Sequence, residues 1–130
     1  MKSTALLIST MATLLLSGLS GNEGFVPGQF LTGSNAIFIG ETLEDMAGWS
    51  VASVGDVNGD GFGDFVIGAP FQSVSKGKTY LIFGDSLGWA GIDSLQNVQV
   101  SFIGEIEHEL SGSSVASAGD VNGDGYDDIL

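Results

Sequence analysis

The chain has 130 residues, which is enough for one small domain. It carries 16 acidic residues against 3 basic ones, for a net charge of −13. The chain is therefore a poor candidate for binding nucleic acid or anionic lipid, because too few basic side chains are available to neutralise phosphates. The absence of cysteine excludes a disulfide scaffold and a thiolate zinc site. The 21 glycines and 2 prolines, with many β-branched residues, predict an all-β chain with tight turns.

The N-terminal segment differs in composition from the rest of the chain. One lysine precedes an apolar run from Ala5 to Leu16, and small residues follow up to Ser20. This order predicts a secretory signal peptide over residues 1–20, with a lead-in over residues 21–35. A membrane anchor is the alternative, but the run is short for a span and is interrupted by serine and threonine. We therefore expect an exported protein, either secreted or held at the cell surface.

A repeat with a constant period organises the remainder of the chain. The stretch "SVASVGDVNGDGFGDFV" from Ser50 returns as "SVASAGDVNGDGYDDIL" from Ser114. Upstream, "FIGE" occurs at Phe38 and again at Phe102, in the same register and without a gap. Self-similarity at a fixed period is typical of repeat architectures, in which each unit packs on its neighbours.

One repeat contains four predicted strands. In chain order they are "SVASVGD", "DFVIGAP", "GKTYLIFG" and, after a turn region "DSLGWAGIDSLQN", "VQVSFIGE". Four strands in roughly 60 residues are the signature of a β-propeller blade. We therefore predict a first blade over residues 36–100 and a truncated second blade over residues 101–130. Because a lone blade leaves its apolar faces uncovered, we expect this fragment of about one and a half blades to require further blades.

The loop after the first strand has oxygen-bearing residues at alternate positions. The side chains at positions 1, 3, 5 and 9, and the backbone carbonyl at position 7, are candidate metal ligands in each copy. All are hard oxygens without a neighbouring histidine or cysteine, which favours Ca²⁺ over Zn²⁺ or Cu²⁺. Mg²⁺ is disfavoured because five or more protein oxygens in one flexible loop suit the larger ion. The candidate ligands are Asp56, Asn58, Asp60, Phe62 and Asp64 in the first loop, and Asp120, Asn122, Asp124, Tyr126 and Asp128 in the second.

Three other loop types and an empty turn compete with this interpretation. An EF-hand requires flanking helices and a glutamate at position 12, where this chain has Ile67. Dockerin loops need the same acid, and thrombospondin type 3 loops repeat at shorter spacing with cysteines. An Asp/Asn/Gly turn that binds nothing remains the alternative, although two copies with the same spacing favour a site.

The segment "SVASVGDVNGDGFGDFVIGAP" resembles the FG-GAP repeat of integrin α-subunit propellers and of exported bacterial proteins. The GAP element is Gly68–Ala69–Pro70, and the resemblance extends over nearly all of residues 30–130. One departure is that Ala47–Gly48 and Ser111–Gly112 replace the expected Phe-Gly pair, and Trp49 is a candidate to fill the missing aromatic's space. The resemblance implies a propeller with Ca²⁺ in the hairpin between the first two strands of a blade.

No catalytic constellation is recognisable, so we expect a binding module rather than an enzyme. His108 is alone among acids, the serines near Ser111 lack a nucleophile motif, and Trp49 and Trp89 are expected to be packing residues. The leading hypothesis is an exported calcium-binding propeller for extracellular binding or cell adhesion, with a protein or glycan ligand and no small-molecule substrate. The alternative is an accessory propeller of a secreted or surface enzyme, and a structural surface protein is a third possibility.

Overall fold

The computed structural model of this protein describes residues 4–8, 13–17, 36–87 and 91–130. Within these ranges the chain forms ten strands, grouped into two sheets of four strands and one of two. The strands are β1 (Thr4–Ile8), β2 (Thr13–Ser17), β3 (Ala36–Ile39), β4 (Ser50–Gly55), β5 (Asp64–Ala69), β6 (Lys78–Ile82), β7 (Gly91–Ser94), β8 (Val100–Ile103), β9 (Ser117–Gly119) and β10 (Asp128–Ile129). The predicted all-β fold with propeller-type blades is confirmed.

The central sheet has the order β4–β5–β6–β8, and every neighbouring pair is antiparallel. It contains the four strands that the first repeat predicts, in the predicted order. Strand β8 pairs with β6 through residues such as Phe102, opposite Thr79. This strand therefore crosses the expected domain boundary after residue 100, and residues 101–103 lie in the first sheet.

The middle strands of the central sheet, β5 and β6, are buried on both faces. Side chains on a strand alternate between the two faces, so each face contributes to a different cluster. One face presents Phe65 and Ile67 of β5 and Tyr80 of β6 to a core that includes Phe38 and Leu95. The Phe38 and Phe65 rings meet edge to face, with centroids 5.4 Å apart. This two-sided burial explains why β5 is apolar along most of its length instead of alternating with polar residues.

The opposite face packs against the second repeat. There Val66 and Leu81 form a cluster with Val54, to which Val115 and Ile129 of the second repeat add partly buried side chains. The hairpin of β9 and β10 lies against β4. The central sheet is therefore covered on this side by the next repeat, as expected of adjacent blades.

Backbone and side-chain hydrogen bonds also join the repeats near their starts. The Ser50 hydroxyl donates to the carbonyl oxygen of Gly112 over 2.6 Å. The Ser111 N–H donates to the Lys76 carbonyl oxygen over 3.0 Å. The Gly68 Cα lies so close to Gly112 that a Cβ at Gly68 would be 2.0 Å from the Gly112 oxygen. The repeats thus meet backbone to backbone at this point, and Gly68 permits the approach.

The other four-stranded sheet has the order β1–β2–β3–β7. Its β1 and β2 fall within residues 1–20, for which the sequence predicts a signal peptide, and pair antiparallel with each other and with β3. Strands β3 and β8 carry the two copies of the "FIGE" motif, so β3 corresponds to β8 one repeat earlier. The lead-in over residues 21–35 and Trp89 lie outside the described residues.

The turn region expected after β6 is more regular than the sequence predicts. It contains β7, which pairs in parallel with β3, and a 3₁₀ turn at Leu95–Asn97. Burial of Leu95 in the core and pairing with β3 outweigh the turn preference of the glycine and aspartate residues. A short turn at Gln72–Ser75 also forms, with left-handed φ angles of 53° at Ser73 and 59° at Val74.

The expectation that Trp49 fills the space of the missing Phe-Gly aromatic is wrong. Its side chain is 56% exposed and touches only the edge of the Phe71 ring among aromatic residues of the described chain, with centroids 6.4 Å apart. The preceding Ala47 is instead buried in the core beside β3 and β5. The small alanine therefore occupies the interior, while the tryptophan lies at the surface.

Candidate metal-binding loops

The first candidate loop connects β4 to β5, and the Asp56 carboxylate lies at its centre. Asp56 Oδ1 accepts hydrogen bonds from the N–H groups of Gly59 over 2.7 Å and Asp60 over 3.1 Å. Its Oδ2 accepts one from the Gly61 N–H over 2.8 Å. Gly61 has a φ of +87°, which an L side chain rarely adopts, so glycine is required at this position for the chain to curl around the carboxylate.

The next two oxygen-bearing side chains extend the same pattern. Asn58 Oδ1 accepts from the N–H of Asp60 over 3.0 Å, and Asp60 Oδ1 accepts from the N–H of Phe62 over 2.8 Å. The Asn58 amide also donates to Asp60 Oδ2 over 2.8 Å. Each side chain therefore accepts from the backbone two residues ahead, which is the geometry of successive Asx turns.

Asp64 differs from the other loop carboxylates because it is buried, at 1% exposure. Its Oδ2 accepts from the Val57 N–H over 2.9 Å and closes the base of the loop. Its Oδ1 accepts from the N–H of Gly84, just after β6, over 2.8 Å. Asp64 thus ties the loop to the third strand of the same sheet.

The second loop, between β9 and β10, reproduces this arrangement closely. Asp120 accepts from the N–H groups of Gly123 over 2.7 Å, Asp124 over 3.1 Å and Gly125 over 2.9 Å. Further along, the N–H of Tyr126 donates to Asp124 over 3.0 Å, and the N–H of Val121 donates to Asp128 over 2.9 Å. Asn122 Oδ1 accepts from the Asp124 N–H over 2.9 Å. The spacing of the residues is therefore sufficient to produce the same local fold twice.

The oxygen atoms of the first loop are of the chemical type that binds calcium. A carboxylate offers about four acceptor positions, of which Asp56 uses three and Asp60 and Asp64 use two each. The remaining lone pairs and the Phe62 carbonyl are hard oxygen donors of the kind that Ca²⁺ prefers. In this structure the oxygens point at N–H groups, and no set of three or more His, Cys, Asp or Glu side chains in the described ranges is gathered to hold a metal ion.

The backbone donors also act on the charge state of the loop. The N–H group of Gly125 has the largest effect and lowers the pKa of Asp120 below its ordinary value. Desolvation opposes it, while the N–H groups of Gly123 and Asp124 act in the same direction as that of Gly125. Hydrogen bonds from backbone N–H groups favour the ionised form of the Asp120 carboxyl. An ionised oxygen is the form that a calcium ion requires.

Outside the loops, His108 is exposed to solvent as expected and lies in a turn with a φ of 66°.

One residue that contributes to the first loop is not apparent from the spacing of the candidate ligands. Asp127, at position 8 of the second loop, accepts a hydrogen bond from the Asp56 N–H over 2.9 Å. The only signal in the sequence is an extra acid where the first loop has Gly63.

A four-stranded antiparallel sheet whose middle strands are buried on both faces, followed by a second copy of the same sequence motif, is typical of the class of β-propeller blades. The described residues include no helix that is long and apolar enough to cross a membrane.

The chain contains FG-GAP repeats, which the family model matches at residues 47–82 and 111–130. The starts of the two matches are offset by the same interval as the two copies of the motif, which begin at Ser50 and Ser114. Each match starts at the position where an Ala-Gly or a Ser-Gly pair replaces Phe-Gly. The departure from the motif at these two positions therefore does not remove either repeat from the family.

The chain is also similar to integrin alpha subunits. It is 35% identical over 104 residues to integrin alpha pat-2 of Caenorhabditis briggsae, covering 79% of this chain and 8% of that protein. Over 94 residues it is 36% identical to human integrin alpha-7, covering 69% of this chain and 7% of the relative. Over 98 residues it is 36% identical to mouse integrin alpha-IIb, covering 69% of this chain and 9% of that protein. The chain thus spans less than a tenth of the length of these relatives.

Proposed function

We propose that this chain is part of an exported, calcium-binding β-propeller that serves extracellular binding or cell adhesion. The observation that carries the proposal is the pair of loops with the same hydrogen-bonded geometry, one repeat apart, on repeats similar to those of integrin alpha subunits. Calcium is held by Asp56, Asn58, Asp60, Phe62 and Asp64 in one loop and by Asp120, Asn122, Asp124, Tyr126 and Asp128 in the other.

The role of the metal is to stiffen the blade rather than to take part in a reaction. Crowded carboxylates repel each other, and a divalent cation removes that repulsion while adding contacts across the hairpin. Both loops connect the first two strands of a repeat, so calcium at each would stabilise the same end of the hairpin in both repeats. Such loops are the parts of a rigid scaffold that usually contact ligands. An extracellular protein or glycan is the expected ligand.

Titration calorimetry with Ca²⁺ on the full chain tests the metal sites. We expect two ions per chain, with dissociation constants of roughly 10⁻⁴–10⁻³ M as in other extracellular modules. The variants Asp60→Ala and Asp124→Ala should each lose one ion. Asp85→Ala, which removes an exposed aspartate outside both loops, should retain two. An Asp60→Ala chain that still binds two ions would contradict the assignment of the first loop.

Export and adhesion need separate tests. Mass spectrometry of protein recovered from the outer surface or medium of the producing cells should show the loss of residues 1–20. Recovery of the intact N-terminus would contradict the signal peptide and leave β1 and β2 in the fold. For adhesion, protein-coated surfaces should capture a glycan or extracellular-matrix ligand in calcium and release it in a chelator. Equal capture in both conditions would separate ligand binding from the metal loops.

A further inference from the structure

The two oxygen-rich loops are in direct contact, and a side chain of the second loop binds the backbone of the first. The Asp127 carboxylate accepts a hydrogen bond from the Asp56 N–H over 2.9 Å, while the Asp127 N–H donates to the Asp56 carbonyl oxygen over 3.1 Å. Both the N–H and the carbonyl oxygen of Asp56 are therefore hydrogen-bonded to Asp127. Asp56 is the residue whose carboxylate gathers three N–H groups of the first loop.

The glycines of the first loop leave room for this contact. A Cβ at Gly55 would lie 1.9 Å from Asp127 Oδ2, and a Cβ at Gly59 would lie 2.4 Å from the Tyr126 ring. Residues 126 and 127 are thus seated against backbone that carries no side chain. In the first loop the position equivalent to Asp127 is Gly63, which has no carboxylate with which to form the same contact. Of the two loops, only the second therefore carries the side chain that makes this contact.

We infer that Asp127 is a positioning residue for the first metal loop, so that calcium binding between β4 and β5 depends on the second repeat. This inference rests on the proposed calcium function. Asp127 fixes the backbone of Asp56 through two hydrogen bonds, and the position of that backbone sets where the Asp56 carboxylate lies in the loop. Because the contact is made by the side chain of the second repeat, loss of that side chain weakens the first site without removing any of its ligands.

Calcium titration followed by NMR on the full, uniformly labelled chain separates the two loops. The amide signals of Gly61 and Gly125 report the first and second loop. In Asp127→Ala we expect the Gly61 midpoint to move to about tenfold higher calcium, as for loss of one hydrogen bond to a charged group. The Gly125 midpoint should move less than about twofold. Asp127→Asn retains an acceptor oxygen and should restore most of the affinity of the first loop.

A matched control and a metal-free measurement complete the test. Glu107→Gln removes one negative charge from an exposed position of the second repeat and should leave both midpoints unchanged. Without calcium, Asp127→Ala should speed hydrogen exchange at the Asp56 amide by about tenfold, because that N–H loses its partner.

The possible outcomes distinguish this inference from the proposed function. An unchanged Gly61 midpoint in Asp127→Ala, or equal shifts at Gly61 and Gly125, would overturn the positioning role while leaving calcium binding intact. If neither amide responds to calcium in the parent chain, the proposed function is wrong and the positioning role for a metal falls with it. A shift at Gly61 alone that Asp127→Asn rescues supports both.

Discussion

The buried carboxylate of Asp64 allows the structural contribution of a loop residue to be separated from its contribution to metal binding. In the variant Asp64→Ala, the N–H groups of Val57 and Gly84 both lose their acceptor. A hydrogen bond to a charged group contributes roughly 1.5–3 kcal/mol, so the loss of two lowers the free energy of unfolding by about 3 kcal/mol or more. This is a large share of the stability of a small domain, which is about 5–15 kcal/mol.

Urea unfolding of the full chain in excess chelator measures this loss, because no metal then contributes. With a slope of about 2 kcal/mol per M, the midpoint should fall by about 1.5 M. Asp64→Asn keeps one acceptor oxygen, so its urea midpoint should lie between the midpoints of the parent and the alanine variant. The matched control is Asp128→Ala in the second loop, where the carboxylate is less buried and accepts from Val121. The free energy of unfolding of Asp128→Ala should be lower than that of the parent by about 1 kcal/mol.

A stability loss below about 1 kcal/mol for Asp64→Ala in chelator, or one no larger than that of Asp128→Ala, would contradict this role of Asp64. Either result would mean that the bonds to Val57 and Gly84 contribute little to the folded state. If the loss appeared only when calcium was present, Asp64 would act as a metal ligand and not as a brace between the loop and the end of β6.

Three further predictions concern single residues. Tyr80→Phe should raise the free energy of unfolding, measured by thermal unfolding, by about 1 kcal/mol. The reason is that the buried Tyr80 hydroxyl has no hydrogen-bond partner among the described residues. A loss of stability would instead reveal a hydrogen bond to the nearby Glu41 carboxylate. Gly68→Ala should cost about 1–3 kcal/mol in urea unfolding, since the new Cβ would overlap the Gly112 carbonyl oxygen, whereas Gly63→Ala meets open space and should cost less. The Asp120 carboxyl should titrate below the ordinary aspartate pKa by NMR, because backbone N–H groups lower its pKa. Its contribution to stability is then fully present above the unfolded pKa of about 3.9 and is lost as the pH falls through the folded value; an unshifted titration would contradict the hydrogen-bond geometry.

The internal fold of each loop was predictable because it depends on contacts between residues close in sequence. The carboxylate of Asp56 reaches N–H groups three to five residues ahead, and Asp64 reaches back seven residues to Val57. The same spacing in the second copy yields the same bonds around Asp120. Repetition of the motif at a constant period likewise predicted the four strands of the central sheet in their observed order.

Other features could not be predicted, because they depend on which surfaces meet in three dimensions. Strand β7 arises from residues with turn preferences, since β3 provides a parallel partner and the core accepts Leu95. Trp49 lies at the surface while Ala47 is buried, although the tryptophan has more apolar area. Neither result follows from the residue type alone.

By itself, the sequence determined the repeat, the class of fold and the shape of both oxygen-rich loops, since each depends on spacing within a few residues or on the period of the motif. The tertiary structure alone decided that Asp64 is a buried link to Gly84 and that Asp127 holds Asp56. Those two contacts join residues 20 and 71 positions apart. Contacts over such separations form only after the strands have paired and the repeats have packed, so no local pattern encodes them.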